Sequence, residues 1–168
     1  MGKLGLLLAF VCFNTHALTL NFGRTENAKV TQKRLDKLMV EFKEITDMCC
    51  SLYKRNCNMK ISYSYSDYPI AVNDKTTNEV FEMLNASIPG YGVKVLLGAY
   101  KGFILGQSKP GKGVVLFKKG DGVVLAHELG HHMGRGHIGN PANLMAPGDV
   151  MDLYPKPDAN WCYLVSRY

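Results

Sequence analysis

Five residues within one short run carry the strongest chemical signal in the chain. The run is His127-Glu128-Leu129-Gly130-His131-His132-Met133-Gly134-Arg135-Gly136-His137. Residues four apart on a helix share a face, so His127 and His131 can direct two imidazoles at one ion. Glu128 follows the first of them, turned about 100° around the axis. From there its carboxylate can reach a water held on the ion without being a ligand, which is what a hydrolytic site needs. A catalytic zinc takes three protein ligands plus water, so two histidines are one short. Gly134 accepts the positive φ that lets the chain leave the helix sharply, and His137 can then return to the ion as the third ligand. Eight residues further on, Asn143-Leu144-Met145-Ala146-Pro147 places a methionine in a turn-prone segment.

These residues need a scaffold, and periodicity supplies a coarse one. Leu18 to Gly23 reads as a short strand. Val30 to Tyr53 reads as a long amphipathic helix, with Leu35, Leu38, Met39, Phe42, Ile45 and Met48 at three- and four-residue steps. Met59 to Tyr65 alternates and predicts a strand with Ile61, Tyr63 and Tyr65 on one face. Asp74 to Ser87 predicts a second helix, ended by Pro89-Gly90. Three β-like runs follow, Val93 to Leu97, Gly102 to Leu105 and Gly113 to Phe117, with turns at Gly106 and Pro110-Gly111. Asp121 is positioned to cap the helix that carries the histidines, running to about Met133. A short helix is expected near Trp161 to Val165. The whole is an α+β domain, a small twisted sheet with helices against it.

Composition narrows the class. The chain has 168 residues, 46% hydrophobic and 20% charged, enough for one domain with a modest core. The net charge of +6 comes from scattered lysines such as Lys101, Lys109, Lys112, Lys118 and Lys119, and no nucleic-acid motif accompanies them. Lys3, the apolar run Leu4 to Phe13 and Thr15-His16-Ala17 have the layout of a secretory signal. The expected division is a signal over 1–17 and a single domain over 18–168. Ten apolar residues are too few for a bilayer core that takes roughly 20, so stable membrane insertion is not expected. Four cysteines follow the signal: Cys49, Cys50, Cys57 and Cys162. An even count in an exported chain suggests two disulfides. Adjacent Cys49 and Cys50 each pair elsewhere, which leaves Cys57 and Cys162 as partners with the connectivity open. The chain is expected to be secreted or extracytoplasmic (periplasmic in a Gram-negative bacterium).

The site residues resemble the metzincin zinc-peptidase signature H-E-x-x-H-x-x-G-x-x-H followed by a Met-turn, with all five fixed positions matched. A chance match in a chain this long has odds on the order of one in 10⁵. The segments Lys101 to Gly106 and Gly113 to Phe117 resemble, more weakly, the strand pair ahead of the zinc helix in adamalysin-like members. The resemblance implies a metzincin-like zincin domain: a mostly parallel sheet with an antiparallel edge strand, an active-site helix and a Met-turn. It implies one catalytic zinc on His127, His131 and His137, with Glu128 as general base on the zinc-held water and Met145 as an apolar floor. It also implies that Gly113 to Phe117 is the exposed edge on which an extended peptide pairs, and that Pro147 to Val150 walls the pocket. The expected function is a monomeric zinc endopeptidase acting on protein or peptide substrates. The rival from another class is a catalytically silent metzincin-like binding module, and Glu128 discriminates, since only the enzyme needs it. Departures from the pattern are Ile138 after the third histidine and Pro147 two residues after Met145, so the pattern names no oxyanion helper, and Tyr154 is a guess for that role. His132 faces another side of the helix and is read as a surface or supporting residue.

Overall fold

The computed structural model describes residues 17–98, 104–149 and 151–168. The signal segment therefore lies outside the described residues except for Ala17, as do Gly102 and Phe103 of one expected strand. The elements in order are β1 (Ala17–Thr25), α1 (Gln32–Tyr53), β2 (Lys60–Ile70), α2 (Thr77–Ser87), β3 (Val93–Leu97), β4 (Gly106–Lys109), β5 (Gly113–Leu116), α3 (Gly122–His132) and α4 (Ala159–Val165). Helices alternate with strands through β3, and that alternation makes parallel neighbours, because a helix has time to cross the sheet between them.

The sheet has five strands in the order β2-β1-β3-β5-β4. β1 runs parallel to β2 and β3, β3 runs parallel to β5, and β4 alone is antiparallel, paired with β5. This corrects one expectation. The segment from Gly113 is an interior strand, and the free edge belongs to β4. The Pro110-Gly111 turn reverses the chain between them, with the Lys112 N–H donating to the Lys109 carbonyl at 3.0 Å. Gly106, expected in a turn, is the first residue of β4, and Ile104 and Leu105 precede the strand.

Element ends follow local chemistry. Thr31 caps α1 by accepting from the Arg34 N–H, so the helix starts after Val30. α2 begins at Thr77, not Asp74. Asp74 sits at φ 60 in a left-handed turn, and Thr76 with Glu79 forms a reciprocal capping box. β2 runs past Tyr65 to Ile70. It forms the sheet's other edge, where Pro69 is tolerated because no ladder donor is needed on the open side.

Strand alternation divides the core. Phe22, Val95, Leu97, Val114 and Leu116 face α1, α3 and α4, whereas Leu96 and Val115 face Phe81 and Leu84 of α2. α3 docks tightly on α1. A side chain at Gly122 would strike Glu41 and the Phe42 backbone, and the Gly122 N–H donates to Glu41 Oε2 at 2.9 Å. Two disulfides complete the frame, Cys49–Cys162 between α1 and α4 and Cys50–Cys57 at the end of α1. Each adjacent cysteine thus pairs elsewhere. Among the described residues no helix is long and apolar enough to cross a membrane.

Candidate metal centre and cleft

The site is built on α3. Asp121 caps it, accepting from the Val124 N–H at 3.0 Å. The helix ends at His132, and Gly134 adopts φ +88. The Gly134 N–H donates to the His131 carbonyl and the Arg135 N–H to the Gly130 carbonyl, each at 2.9 Å, closing the helix end while the chain turns toward His137.

That turn brings three imidazoles together. Nε2 of His131 lies 3.0 Å from Nε2 of His127 and 3.0 Å from Nε2 of His137. The Nδ1 atoms of His127 and His131 each meet a backbone carbonyl at 2.7 Å, that of Leu144 and that of Arg135 respectively. A carbonyl only accepts, so both rings carry their proton on Nδ1 and turn a lone pair inward at Nε2. Two lone pairs 3.0 Å apart repel each other unless a cation lies between them, so this arrangement fits a metal ion. Three imidazoles suit zinc among the common divalent ions. Burial, the main cause, depresses the pKa of His127 and of His131, which keeps both rings neutral, as a ligand must be. The three residues form the one candidate metal-holding group among the described residues.

Glu128 stands beside this centre, buried at 7% exposure. Burial pushes its carboxyl up to about 7, and nearby Ser108 pulls it slightly back. Ser108 Oγ is itself buried without a hydrogen-bond partner, so it sits near Glu128 but outside bonding geometry. β4 comes this close because Gly106 has no side chain. A Cβ there would lie 2.7 Å from Glu128 Cγ and 2.8 Å from Val124. The edge strand and the candidate base are therefore in contact.

Below the helix, Met145 and Trp161 are fully buried against Gly130, where a Cβ would meet Met145 Sδ at 2.3 Å. Trp161 Nε1 donates to the Ala126 carbonyl at 3.1 Å. The Met145 carbonyl accepts from the Ile138 N–H at 2.8 Å, tying the turn to the residue after His137. Met145 thus packs against the buried face of α3.

A cleft of about 860 Å³ opens over the histidines, with Ile104, Leu105, Gly106 and Ser108 on one lip and Gly148, Asp149 and Met151 on the other. Of the expected wall, Gly148 and Asp149 line it, and Val150 lies outside the described residues. Tyr154 is 86% exposed and is not among the residues lining the cleft, so it does not serve as the oxyanion helper in this conformation. His132 is buried and points away from the centre, its Nδ1 accepting from the Gly113 N–H at 3.0 Å. It holds β5 to α3.

Sequence reading missed three contributors. Gly106 and Ser108 were hidden because β4 is polar and short. Asp158 gave a visible signal, an acid three residues before buried Trp161, but the cap alone does not reveal its other partners.

No protein-family model matches the chain, and no curated protein matches it by sequence. Solved structures do match. Archaemetzincin from Methanopyrus kandleri is similar at TM-score 0.59 and 18% identity, over 94% of this chain and 97% of that one. Metalloproteinase-II from Bacteroides fragilis is similar at TM-score 0.60 and 14% identity, over 90% of this chain and 53% of that one, so the present chain spans about half its length. At these identities the likeness establishes the fold: the chain has the mixed α/β architecture of archaemetzincin, a mostly parallel five-stranded sheet with the histidine helix packed against it.

Proposed function

We propose that this protein is a secreted zinc-dependent endopeptidase that hydrolyses extended polypeptides with Glu128 as general base. The observation that carries the reading is the convergence of three Nε2 atoms beside a buried, intact glutamate on one wall of an open cleft. A purely structural metal site gains nothing from burying an unpaired carboxylate, which is costly.

His127, His131 and His137 would hold the ion. Zinc bound there supplies Lewis acidity, polarising a scissile carbonyl and acidifying the attacking water. Glu128 takes the water's proton and returns it to the leaving amine. Burial raises this carboxyl and so favours its taking up the proton that it must pass on. β4 positions the substrate. The Phe117 N–H donates to the Leu105 carbonyl, so alternation along the antiparallel pair turns the N–H and C=O of Gly106 and Ser108 toward the open edge. An extended peptide adds there as a further strand. Secretion is supported by the two disulfides, which persist in oxidising compartments, and by the signal-like start of the sequence.

The deciding experiment is peptide-library cleavage by the chain from Leu18, beside Glu128→Ala, with and without a chelator. Cleavage that requires both Glu128 and metal is the expected result. Folded, zinc-loaded protein that cuts nothing would sink the endopeptidase reading.

A further inference from the structure

One carboxylate links the supports of both helical histidines. Asp158 caps α4 with Oδ1, which accepts from the Trp161 N–H at 2.7 Å. A cap needs no more than that. Its Oδ2 is shared by two side chains from different segments, the Arg135 guanidinium at 2.5 Å and Asn143 Nδ2 at 3.3 Å. Arg135 supplies the carbonyl that takes the His131 Nδ1 proton. Asn143 sets the turn that presents the Leu144 carbonyl to His127: its Oδ1 accepts from the Met145 N–H at 2.8 Å and its carbonyl from the Ala146 N–H at 3.0 Å. The ion pair is largely sheltered, with side-chain exposures of 13% and 25%, so it is less screened than a surface pair.

We propose that Asp158 is a positioning residue that fixes, through Arg135 and Asn143, the orientation and tautomer of the rings of His131 and His127. Its relation to the metal rests on the zinc reading above. Its relation to the rings does not. Both supporting carbonyls lie outside α3, on short segments held by few backbone bonds: the Arg135 N–H donates to the Gly130 carbonyl at 2.9 Å, and Asn143 forms an isolated parallel bridge with Lys156, the Leu144 N–H donating to the Lys156 carbonyl at 2.8 Å. Arg135 is in the turn after Gly134, and Leu144 is in the Met-turn. A charge-assisted pair and a shared amide bond, both ending on one oxygen at the rigid start of α4, lock the two segments to each other. α4 is in turn fixed by buried Trp161 and by Cys162 in its disulfide to α1.

The test compares metal-free wild type with Asp158→Asn and Arg135→Gln. Asparagine keeps a cap acceptor but removes the charge, and Arg135→Gln leaves the cap untouched. If one variant fails to fold, the other still decides. Nitrogen-15 NMR of the imidazoles reads the tautomers at neutral pH, and competition against a chromophoric chelator reads zinc affinity. The expected result is a single Nδ1–H tautomer at His131 in wild type, a mixture in both variants, and zinc affinity lower by about tenfold to a hundredfold. An unchanged His131 tautomer in the folded variants overturns the proposal, whatever happens to affinity, and reduces Asp158 to a helix cap. Wild type that takes up no zinc counts against the zinc reading alone, because the tautomer measurement on metal-free protein still decides the role of Asp158.

Discussion

At the scale of single residues, the site depends on side chains that are missing as much as on those present. Gly130 has no side chain, and Met145 and Trp161 fill the space. Gly130→Val is expected to destabilise the fold by about 2–3 kcal/mol, because the overlap falls on two fully buried neighbours with nowhere to move. A urea midpoint shift of the metal-free protein measures it, and an unchanged midpoint would mean that Met145 and Trp161 can move away from Gly130. Tyr65 makes a different kind of statement. Burial first, and then its 2.8 Å bond to Asp67, push its phenol up to about 12. The folded value exceeds the ordinary one near 10, so this contribution is complete below pH 10 and is lost as pH climbs toward 12. Tyr65→Phe is expected to flatten the fall in stability over that window, read as denaturant midpoints between pH 9 and pH 12. A wild-type-like slope in the variant would remove Tyr65 as its source. Among residues, the centre was the most legible part of the sequence. Helical spacing fixes where His127 and His131 point, and Gly134 announces the turn that returns His137. The link of Asp158 to Arg135 and Asn143 was illegible because nothing local relates positions so far apart.

At the scale of elements, the decisive one is among the shortest. β4 has four residues and forms the lip of the cleft. Its alternation leaves the Ser108 N–H unpaired within the sheet and directed outward. Ser108→Pro removes that donor while sparing the bonds to β5, and edge strands accept proline. The expected outcome is a loss of about tenfold in kcat/KM, the equivalent of one hydrogen bond, with the circular dichroism spectrum retained. Undiminished cleavage would place the substrate elsewhere than on this edge. Sequence reading set the edge one strand too far along, for a physical reason. Gly113 to Phe117 is apolar on both faces because it lies inside the sheet, between β3 and β4. The true edge, Gly106-Gln107-Ser108-Lys109, is polar because it lies beside the cleft. The long helix and the strands before α2 were legible from periodicity, although β2 runs past its expected end to Ile70, and α2 starts late because the Thr76–Glu79 capping box outranked composition.

At the scale of the whole molecule, the disulfides differ in what they constrain. Cys49–Cys162 joins residues 113 apart, and Cys50–Cys57 residues 7 apart. By the chain-entropy relation the first contributes about 5 kcal/mol and the second about 2.5 kcal/mol. Cys49→Ala with Cys162→Ala is therefore expected to lower Tm much further than Cys50→Ala with Cys57→Ala, as calorimetry on the two paired variants would show. Equal losses would mean that the unfolded chain is already compact around α1. The pairing was only half legible. Adjacency forbade Cys49–Cys50, but the choice between the remaining two connectivities depends on α4 folding back onto α1.

The long disulfide has a further consequence for any cut in the chain. Both lips of the cleft, the turn carrying His137 and the turn at Met145 all lie between residues 49 and 162. A single proteolytic nick anywhere in that span leaves two polypeptides that remain one covalent molecule. The nicked protein would migrate at full mass until reduced, and the severed half could not diffuse away from its partner.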